Sequence, residues 1–227
     1  MKNIILLHGA LGSASQMKEL QTALESQFNV YTLEFDGHGK KAAALDALDI
    51  KHMALELDQF MTQHAISDPI VFGYSMGGYV ALYHASKLPN KIAKVITLAT
   101  KFDWNPESSV KETSMLDPEQ MEKQIPAFCE VLNHRHGSSW KQLVNNTAEM
   151  MMRLGKNQEL PDAELKKIRI PVLVCLGDKD KMVSASESNH AVSNLENGKL
   201  QILPDTSHPL ERVNCKLLAE LIGTFAS

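Results

Sequence analysis

The chain has 227 residues, of which 44% are hydrophobic and 22% are charged, as in a globular protein of one domain. A formal net charge of −4 argues against a nucleic-acid partner, and no apolar stretch reaches the length of a membrane span. The three cysteines are scattered and form no C-x-x-C pair, so we expect no disulfide framework, no zinc site and a cytoplasmic location.

Six short apolar runs bounded by turn residues predict buried strands, because parallel strands covered on both faces have near-continuous apolar sequences. The predicted strands are Asn3–His8, Phe28–Phe35, Pro69–Gly73, Ala93–Ala99, Pro171–Gly177 and Lys199–Leu203. The helical patterns cover Ser15–Gln27, Ile50–His64, Met76–Lys87, Ala185–Leu195 and Arg212–Phe225. This alternation predicts an α/β fold with a doubly wound, mostly parallel sheet of about six strands.

A long stretch, residues 103–161, separates the fourth and fifth predicted strands. It contains no strand pattern, is rich in methionine, and has two helical patterns, Pro118–His136 and Ser139–Leu154. We therefore predict that this stretch forms a small helical lid, inserted into a core made of residues 1–102 and 162–227.

The residues Gly73-Tyr74-Ser75-Met76-Gly77-Gly78 contain the pattern G-x-S-x-G between a predicted strand and a predicted helix. Such a sharp turn puts its central residue in strained geometry, so the neighbouring residues must be small. The turn also lifts the serine hydroxyl clear of the sheet and points the next backbone N–H at the place where an oxyanion would form. The pattern therefore makes Ser75 a candidate nucleophile.

A serine hydroxyl needs a base within hydrogen-bond reach, and that base is oriented by a carboxylate. In a doubly wound sheet, both groups belong on loops at the carboxyl ends of strands. His208 follows the last predicted strand and is the candidate base, whereas most other histidines lie in helical patterns. Asp178 and Asp180 both follow the fifth predicted strand, and their spacing leaves the choice of acid open.

An oxyanion needs a second backbone donor besides the N–H of Met76. The first predicted strand ends in His8-Gly9-Ala10-Leu11-Gly12-Ser13. If the sheet order is 2-1-3-4-5-6, this strand lies beside the strand that precedes Ser75, and such sheets bind ligands in the crevice between these two strands. The loop would then bring the N–H of Ala10 towards Ser75.

Together these segments resemble the α/β-hydrolase superfamily, and the resemblance covers essentially the whole chain. The superfamily motifs are matched by His8–Ser13, Asp36-Gly37-His38-Gly39, Gly73–Gly78, Gly177-Asp178-Lys179-Asp180 and Ser207-His208-Pro209. The resemblance implies a triad of Ser75, Asp180 and His208, with the acid at the last residue of G-x-x-D. It also implies Ala10 and Met76 as the oxyanion donors, and it implies no metal and no organic cofactor.

The resemblance carries three further expectations. His38 should be structural or line the cleft rather than act as a base. Family members usually begin with an antiparallel hairpin, so a chain whose His-Gly strand begins at Asn3 would be a reduced form of the fold. The elbow resembles that of the menaquinone-pathway synthase of this superfamily, in which an arginine that binds a substrate carboxylate follows; here that position is Tyr79.

We therefore expect a serine hydrolase that cleaves carboxylic esters of small or medium, mainly neutral acyl groups through an acyl-enzyme on Ser75. Neutral groups are expected because Tyr79 replaces the arginine and the loops Ala10–Ser13 and Thr206–Pro209 contain no lysine or arginine. The cluster His134-Arg135-His136 is interpreted as cations at a helix C-terminus rather than as a substrate clamp.

Two other functions suit the same residues: hydrolysis of a carbon–carbon bond in a ring-cleavage product, and a non-catalytic small-molecule receptor on the same fold. The expected partner is a small-molecule ester, with no nucleic acid and no membrane, and the oligomeric state stays open. Candidate substrate contacts are Leu11, Tyr79, Trp140 and Met151, although methionine and tryptophan in the predicted lid also suit packing on the core.

Overall fold

The computed structural model describes residues 1–41 and 47–227. The strands are β1 (Lys2–Leu7), β2 (Phe28–Leu33), β3 (Ile70–Tyr74), β4 (Lys94–Leu98), β5 (Val172–Gly177) and β6 (Gly198–Leu203). They form one sheet in the order β2-β1-β3-β4-β5-β6, and every neighbouring pair is parallel. This order confirms the predicted doubly wound α/β fold and puts β1 between β2 and β3.

Helices cover both faces of the sheet. They are α1 (Lys18–Leu24), α2 (Ile50–Gln63), α3 (Met76–Lys87), α4 (Pro106–Thr113), α5 (Pro118–Gln124), α6 (Pro126–His136), α7 (Trp140–Lys156), α8 (Asp162–Leu165), α9 (Ala185–Ser193) and α10 (Cys215–Ala226). None of the helices formed by residues 1–41 and 47–227 combines the length and the apolar character that a bilayer crossing needs.

The alternation of side chains along β3 divides the core into two layers. Val71 packs with Leu57 of α2 on one face, whereas Phe72 packs with Leu24 of α1 and Ile222 of α10 on the other, and all five side chains are fully buried. Each such side chain contributes about 1.5–3 kcal/mol relative to an exposed one. A strand that is apolar at every position is therefore held in place from both sides.

The connection from β4 to β5 contains five helices, α4 to α8, and it differs from the prediction in two places. The predicted helix Pro118–His136 is divided into α5 and α6 at Ile125, because Pro126 has no N–H for the helix ladder and disfavours helical geometry in the residue before it. The helix α4 was not predicted, although Asn105 caps it by accepting from the N–H of Ser108 at 2.8 Å.

The carboxyl ends of the strands carry the predicted site residues. Ala10 follows β1, Ser75 follows β3, Asp180 follows β5 and His208 follows β6. The strand order changes direction between β1 and β3, so the loops that follow these two strands border the crevice where such sheets bind ligands.

Candidate active site

Ser75 lies in the turn that joins β3 to α3, and its backbone is strained. Its φ of 50° and ψ of −114° lie outside the regions that a serine ordinarily adopts. The Ser75 N–H donates to the Leu98 carbonyl at 2.8 Å, and the Thr100 hydroxyl donates to the Ser75 carbonyl at 2.9 Å. Gly77 is required because a Cβ there would lie 2.7 Å from the carbonyl oxygen of Leu7. Contacts with the two neighbouring strands therefore hold the sharp turn.

His208 and Asp180 form a hydrogen-bonded pair. The Nδ1–H of His208 donates to Asp180 Oδ2 at 2.8 Å, and the Asp180 side chain is only 1% exposed. Asp180 Oδ1 accepts from the N–H groups of Met182 at 2.8 Å and Val183 at 2.9 Å. Burial acts to raise the pKa of Asp180, but the hydrogen bond and charge of His208 and these N–H groups outweigh burial, and the pKa is lowered. Asp180 is therefore held as a carboxylate against one side of the imidazole.

Asp178, the other candidate acid, has different partners. Its Oδ1 accepts from the N–H of Thr206 at 3.1 Å, and its own N–H donates to the Leu203 carbonyl at 3.0 Å. These contacts join the loop after β5 to the loop after β6. The spacing alone does not decide which of the two aspartates orients the histidine. In the structure Asp180, not Asp178, is hydrogen-bonded to His208.

Tyr74 links the turn at Ser75 to the loop that carries His208. Its hydroxyl donates to the His208 carbonyl at 3.0 Å, and the two rings lie 5.7 Å apart. Burial and then the charge of Glu211 raise the pKa of this hydroxyl, so it stays a donor. Gly9 packs on the same ring, because a Cβ at that position would lie 2.8 Å from it. The loops after β1, β3 and β6 therefore meet around Tyr74.

Ser75 lies in a narrow apolar crevice. The crevice is lined by Ala10, Ile50, Ser75, Met76, Tyr79, Lys101, Trp104, Met150, Met151, Leu154 and Met182. Ala10 and Met76, the predicted oxyanion donors, therefore share one crevice with Ser75. Two of the predicted substrate contacts, Tyr79 and Met151, also line it, and the Tyr79 hydroxyl accepts from the N–H of Leu160 at 2.9 Å.

The other two predicted substrate contacts do not line the crevice. The Leu11 side chain is 8% exposed and Trp140 is 6% exposed, and both pack in the hydrophobic core. The tryptophan that lines the crevice is Trp104, in the loop after β4. The rule that identified His208, a position just after a strand, applies equally to this loop and could have identified Trp104.

Lys101, which also lines the crevice, was missed, because the prediction considered only the position of Tyr79 and the loops Ala10–Ser13 and Thr206–Pro209. Its ammonium lies 3.6 Å from Glu187 Oε2 and 3.8 Å from Glu112 Oε1, and all three side chains are at most 10% exposed. The ammonium also lies 5.9 Å from the centre of the Trp104 ring. Two carboxylates thus surround one ammonium, so the group carries no net positive charge.

The interpretation of the cluster His134-Arg135-His136 as helix-end cations needs a correction at His136. Its Nδ1 accepts from the N–H of Gly39 at 2.8 Å, and its Nε2–H donates to the Leu11 carbonyl at 2.9 Å. A protonated ring cannot accept, so this pattern requires the neutral form. Burial lowers the pKa of His136, which agrees with the hydrogen bonds.

His38 has the structural role that the resemblance implied. Its ring is fully buried, contacts the rings of His8 at 4.9 Å and His136 at 6.0 Å, and donates to the Asp36 carbonyl at 3.1 Å. Burial lowers the pKa of His38 to about 4. The ring is therefore neutral and lies in the packing beneath the loop after β1.

One cluster among the described residues has donors close enough to hold a metal ion: Asp36, His52 and Glu56. His52 Nε2 lies 3.2 Å from Asp36 Oδ2. The ammonium of Lys41 lies 3.2 Å from Asp36 and 3.6 Å from Glu56, so a cationic side chain already balances the carboxylates. None of these residues lines the crevice at Ser75.

The family model of serine aminopeptidase S33 matches residues 1–212 of this chain. The chain belongs to this family, and thus to the α/β-hydrolase superfamily that its sheet and its Ser75 turn indicate. It is an α/β-hydrolase-fold enzyme.

Two curated relatives have names that describe ester chemistry. The chain is 26% identical over 227 residues to a bifunctional esterase/perhydrolase of Acinetobacter calcoaceticus, covering 86% of this chain and 82% of the relative. It is 22% identical to a putative esterase/lipase of Mycoplasma pneumoniae, covering 90% and 83%. A solved structure of a putative lipase from Acinetobacter baumannii superposes with a TM-score of 0.83 at 17% identity, covering 99% and 83%, and this likeness shows the fold alone.

Proposed function

We propose that the chain is a serine hydrolase that cleaves carboxylic esters of small or medium, mainly neutral acyl groups. The observation that carries the proposal is the hydrogen bond between His208 and the buried Asp180 carboxylate, with the His208 loop joined through Tyr74 to the strained turn of Ser75. A base that is oriented by a buried carboxylate and lies near the serine is the arrangement that a serine nucleophile needs.

In this proposal Ser75 Oγ attacks the carbonyl carbon of the ester, and His208 Nε2 takes the hydroxyl proton. Asp180 holds the imidazole in the required tautomer and stabilises the imidazolium that forms. The N–H groups of Ala10 and Met76 stabilise the oxyanion. The tetrahedral intermediate then expels the alcohol, which takes the proton from His208. Water next attacks the acyl-enzyme while His208 takes its proton, and the second tetrahedral intermediate releases the carboxylic acid as Ser75 Oγ takes that proton back.

The crevice supports the choice of substrate. Its described lining is mostly aliphatic, methionine and aromatic, and the ammonium of Lys101, which also lines it, lies within 4 Å of Glu112 and Glu187. A carboxylate on the acyl group would lose its hydration without gaining a free cation, so neutral acyl groups are favoured. The esterase and lipase names of the relatives agree with an ester substrate.

A covalent probe tests the nucleophile. We expect a fluorophosphonate to label the wild-type protein at Ser75, and we expect Ser75→Ala to abolish both labelling and hydrolysis of nitrophenyl esters. Ser138→Ala, at an exposed serine, is the matched control and should label as the wild type does. Labelling at another serine would contradict the assignment.

Two further outcomes separate the alternative functions. Turnover of a ring-cleavage dienoate without ester turnover would favour carbon–carbon bond hydrolysis. Tight binding of small molecules without turnover or labelling would favour a receptor. The cytoplasmic location stays a prediction, which fractionation of the source cells would test.

A further inference from the structure

The carbonyl oxygen of Leu11 accepts hydrogen bonds from two consecutive residues of α6. Arg135 Nη1 donates to it at 2.9 Å, and His136 Nε2–H donates to it at 2.9 Å. Leu11 directly follows Ala10, whose N–H is the proposed oxyanion donor. The last two residues of α6 therefore contact the backbone beside the proposed oxyanion hole.

Leu11 occupies a backbone conformation that needs support from outside. Its φ is 56°, in the left-handed region that favours glycine. It is the third residue of a four-residue turn that is closed by the Gly12 N–H donating to the Gly9 carbonyl at 3.1 Å. The direction of the Ala10 N–H depends on the shape of this turn, since Ala10 is its second residue. The two hydrogen bonds from α6 hold the turn at its strained residue.

Arg135 also reaches towards the loop that carries His208. Its Nη2 lies 3.5 Å from Glu211 Oε1, and Gln16 Nε2 donates to the same oxygen at 2.6 Å. Glu211 is 59% exposed, so this ion pair is weak, whereas the Arg135 side chain is 13% exposed. The guanidinium thus lies between the loop after β1 and the loop after β6.

His136 connects the turn to a second loop. It is 3% exposed and accepts from the Gly39 N–H while donating to Leu11, so both ring nitrogens are used. A glutamine side chain has an amide NH2 that can donate to Leu11 and a carbonyl oxygen that can accept from Gly39, although its geometry differs from that of the ring. An alanine loses both.

We infer that Arg135 and His136 are positioning residues, which hold the Leu11 carbonyl so that the Ala10 N–H faces the developing oxyanion. The inference rests on the proposed function, because it assigns Ala10 its part in that reaction. Through these two residues, the shape of the oxyanion hole depends on where α6 packs. Because the oxyanion contact is stronger in the transition state than with bound substrate, loss of position should lower kcat more than it raises KM.

The kinetic test uses full-length variants and a neutral nitrophenyl ester. We expect Arg135→Ala and His136→Ala each to lower kcat by about 10- to 100-fold with KM changed by less than about threefold, since a small misplacement of a reacting group costs about 100-fold. His136→Gln should recover most of the lost kcat. His134→Ala, at the exposed neighbour on the same helix, should leave kcat unchanged.

A second measurement does not depend on activity. Hydrogen exchange of the peptide that contains Gly9–Gly12 should become faster in Arg135→Ala and His136→Ala than in the wild type and His134→Ala. Faster exchange with a selective loss of kcat supports the inference. Unchanged exchange in this peptide overturns it, as does a loss of kcat that His136→Gln shares equally with His136→Ala.

The two proposals fail in different ways. A wild-type protein without ester turnover or Ser75 labelling contradicts the proposed function, and with it the catalytic part of this inference. Hydrogen exchange of the peptide that contains Gly9–Gly12 then still tests whether α6 holds the turn.

Discussion

Asp178 and Asp180 follow the same strand but differ in what their side chains do. Asp180 accepts from His208, whereas Asp178 accepts from a backbone N–H of Thr206. We expect Asp180→Asn to lower kcat for a nitrophenyl ester by about 10³- to 10⁴-fold, because an amide stabilises neither the required tautomer nor the imidazolium charge. Steady-state kinetics at one pH measures this effect.

Asp178→Asn is the matched control for that experiment. An asparagine oxygen still accepts from the Thr206 N–H, so this variant should keep kcat within about tenfold of the wild type. Circular dichroism spectra should show that both variants are folded. A larger loss of kcat in Asp178→Asn than in Asp180→Asn would reverse the assignment of the acid.

Glu56 gives a prediction for the pH dependence of stability. Burial raises its pKa to about 7 from an ordinary value of 4.5, although the Asp36 N–H that it accepts from acts in the opposite direction. The folded state therefore binds this proton more tightly than the unfolded chain does. The stability that Glu56 contributes is fully present below pH 4.5 and is lost as the pH rises through about 7. Glu56→Gln keeps the acceptor for Asp36 and removes the titration. The Tm of the variant relative to the wild type should therefore be higher at pH 8 than at pH 5.

Thermal unfolding followed by circular dichroism at the two pH values measures this difference. Glu220→Gln, at an exposed position on α10, is the control and should show no comparable change between the two pH values. Equal Tm differences at pH 8 and pH 5 in Glu56→Gln would show that Glu56 does not titrate in this range.

At the scale of the elements, the helices α3 and α7 supply much of the lining of the crevice. Met151 of α7 lines the crevice, whereas Trp140 at the start of the same helix packs in the core. We expect Met151→Ala to shift the ranking of nitrophenyl esters towards longer acyl chains, since the smaller side chain leaves more room. A series of kcat/KM values from acetate to octanoate measures this ranking.

Trp140→Phe is the control on the same helix. It should lower Tm and reduce kcat/KM evenly across the series, because it changes packing rather than the lining. An even loss in Met151→Ala that follows its Tm would assign that residue to packing as well.

Local signals in the sequence predicted the secondary-structure elements, and the order of the strands then predicted part of the site. Apolar periodicity and turn residues are local signals, so six strands and most helices could be predicted from them. The position rule for doubly wound sheets then predicted that Ala10, Ser75, His208 and one of two aspartates lie at the same edge, and only the family resemblance chose Asp180 over Asp178. The contact between Leu11 and His136 joins residues 125 positions apart and depends on how α6 packs, which no local signal records.

At the scale of the whole molecule, charge opposes an anionic substrate. The formal net charge is −4, and Lys101, which lines the crevice, has the carboxylates of both Glu112 and Glu187 within 4 Å of its ammonium. We expect kcat/KM for a neutral butyrate ester to exceed that for the matching hemisuccinate ester at low ionic strength. Added salt should raise the hemisuccinate value and leave the butyrate value unchanged, because the screening length falls from about 30 Å at 0.01 M to about 10 Å at 0.1 M.

The measurement is a comparison of the two esters at both salt concentrations, with Lys101→Met as a matched variant. Removal of the ammonium should lower the hemisuccinate value further. A preference for the hemisuccinate ester at low salt would contradict the neutral-substrate proposal.

Among the described residues, three with positive φ that are neither glycine, asparagine nor aspartate follow strands at the carboxyl edge of the sheet: Leu11 after β1, Ser75 after β3 and Ala99 after β4. Each such conformation costs about 1–3 kcal/mol, which is a sizeable part of the net stability of a domain. The strained backbone at this edge therefore lowers the stability of the folded state, and suitable substitutions would recover that stability. Substitutions that relieve this strain should raise Tm and lower turnover together, so selection for heat resistance alone would reduce activity at these positions.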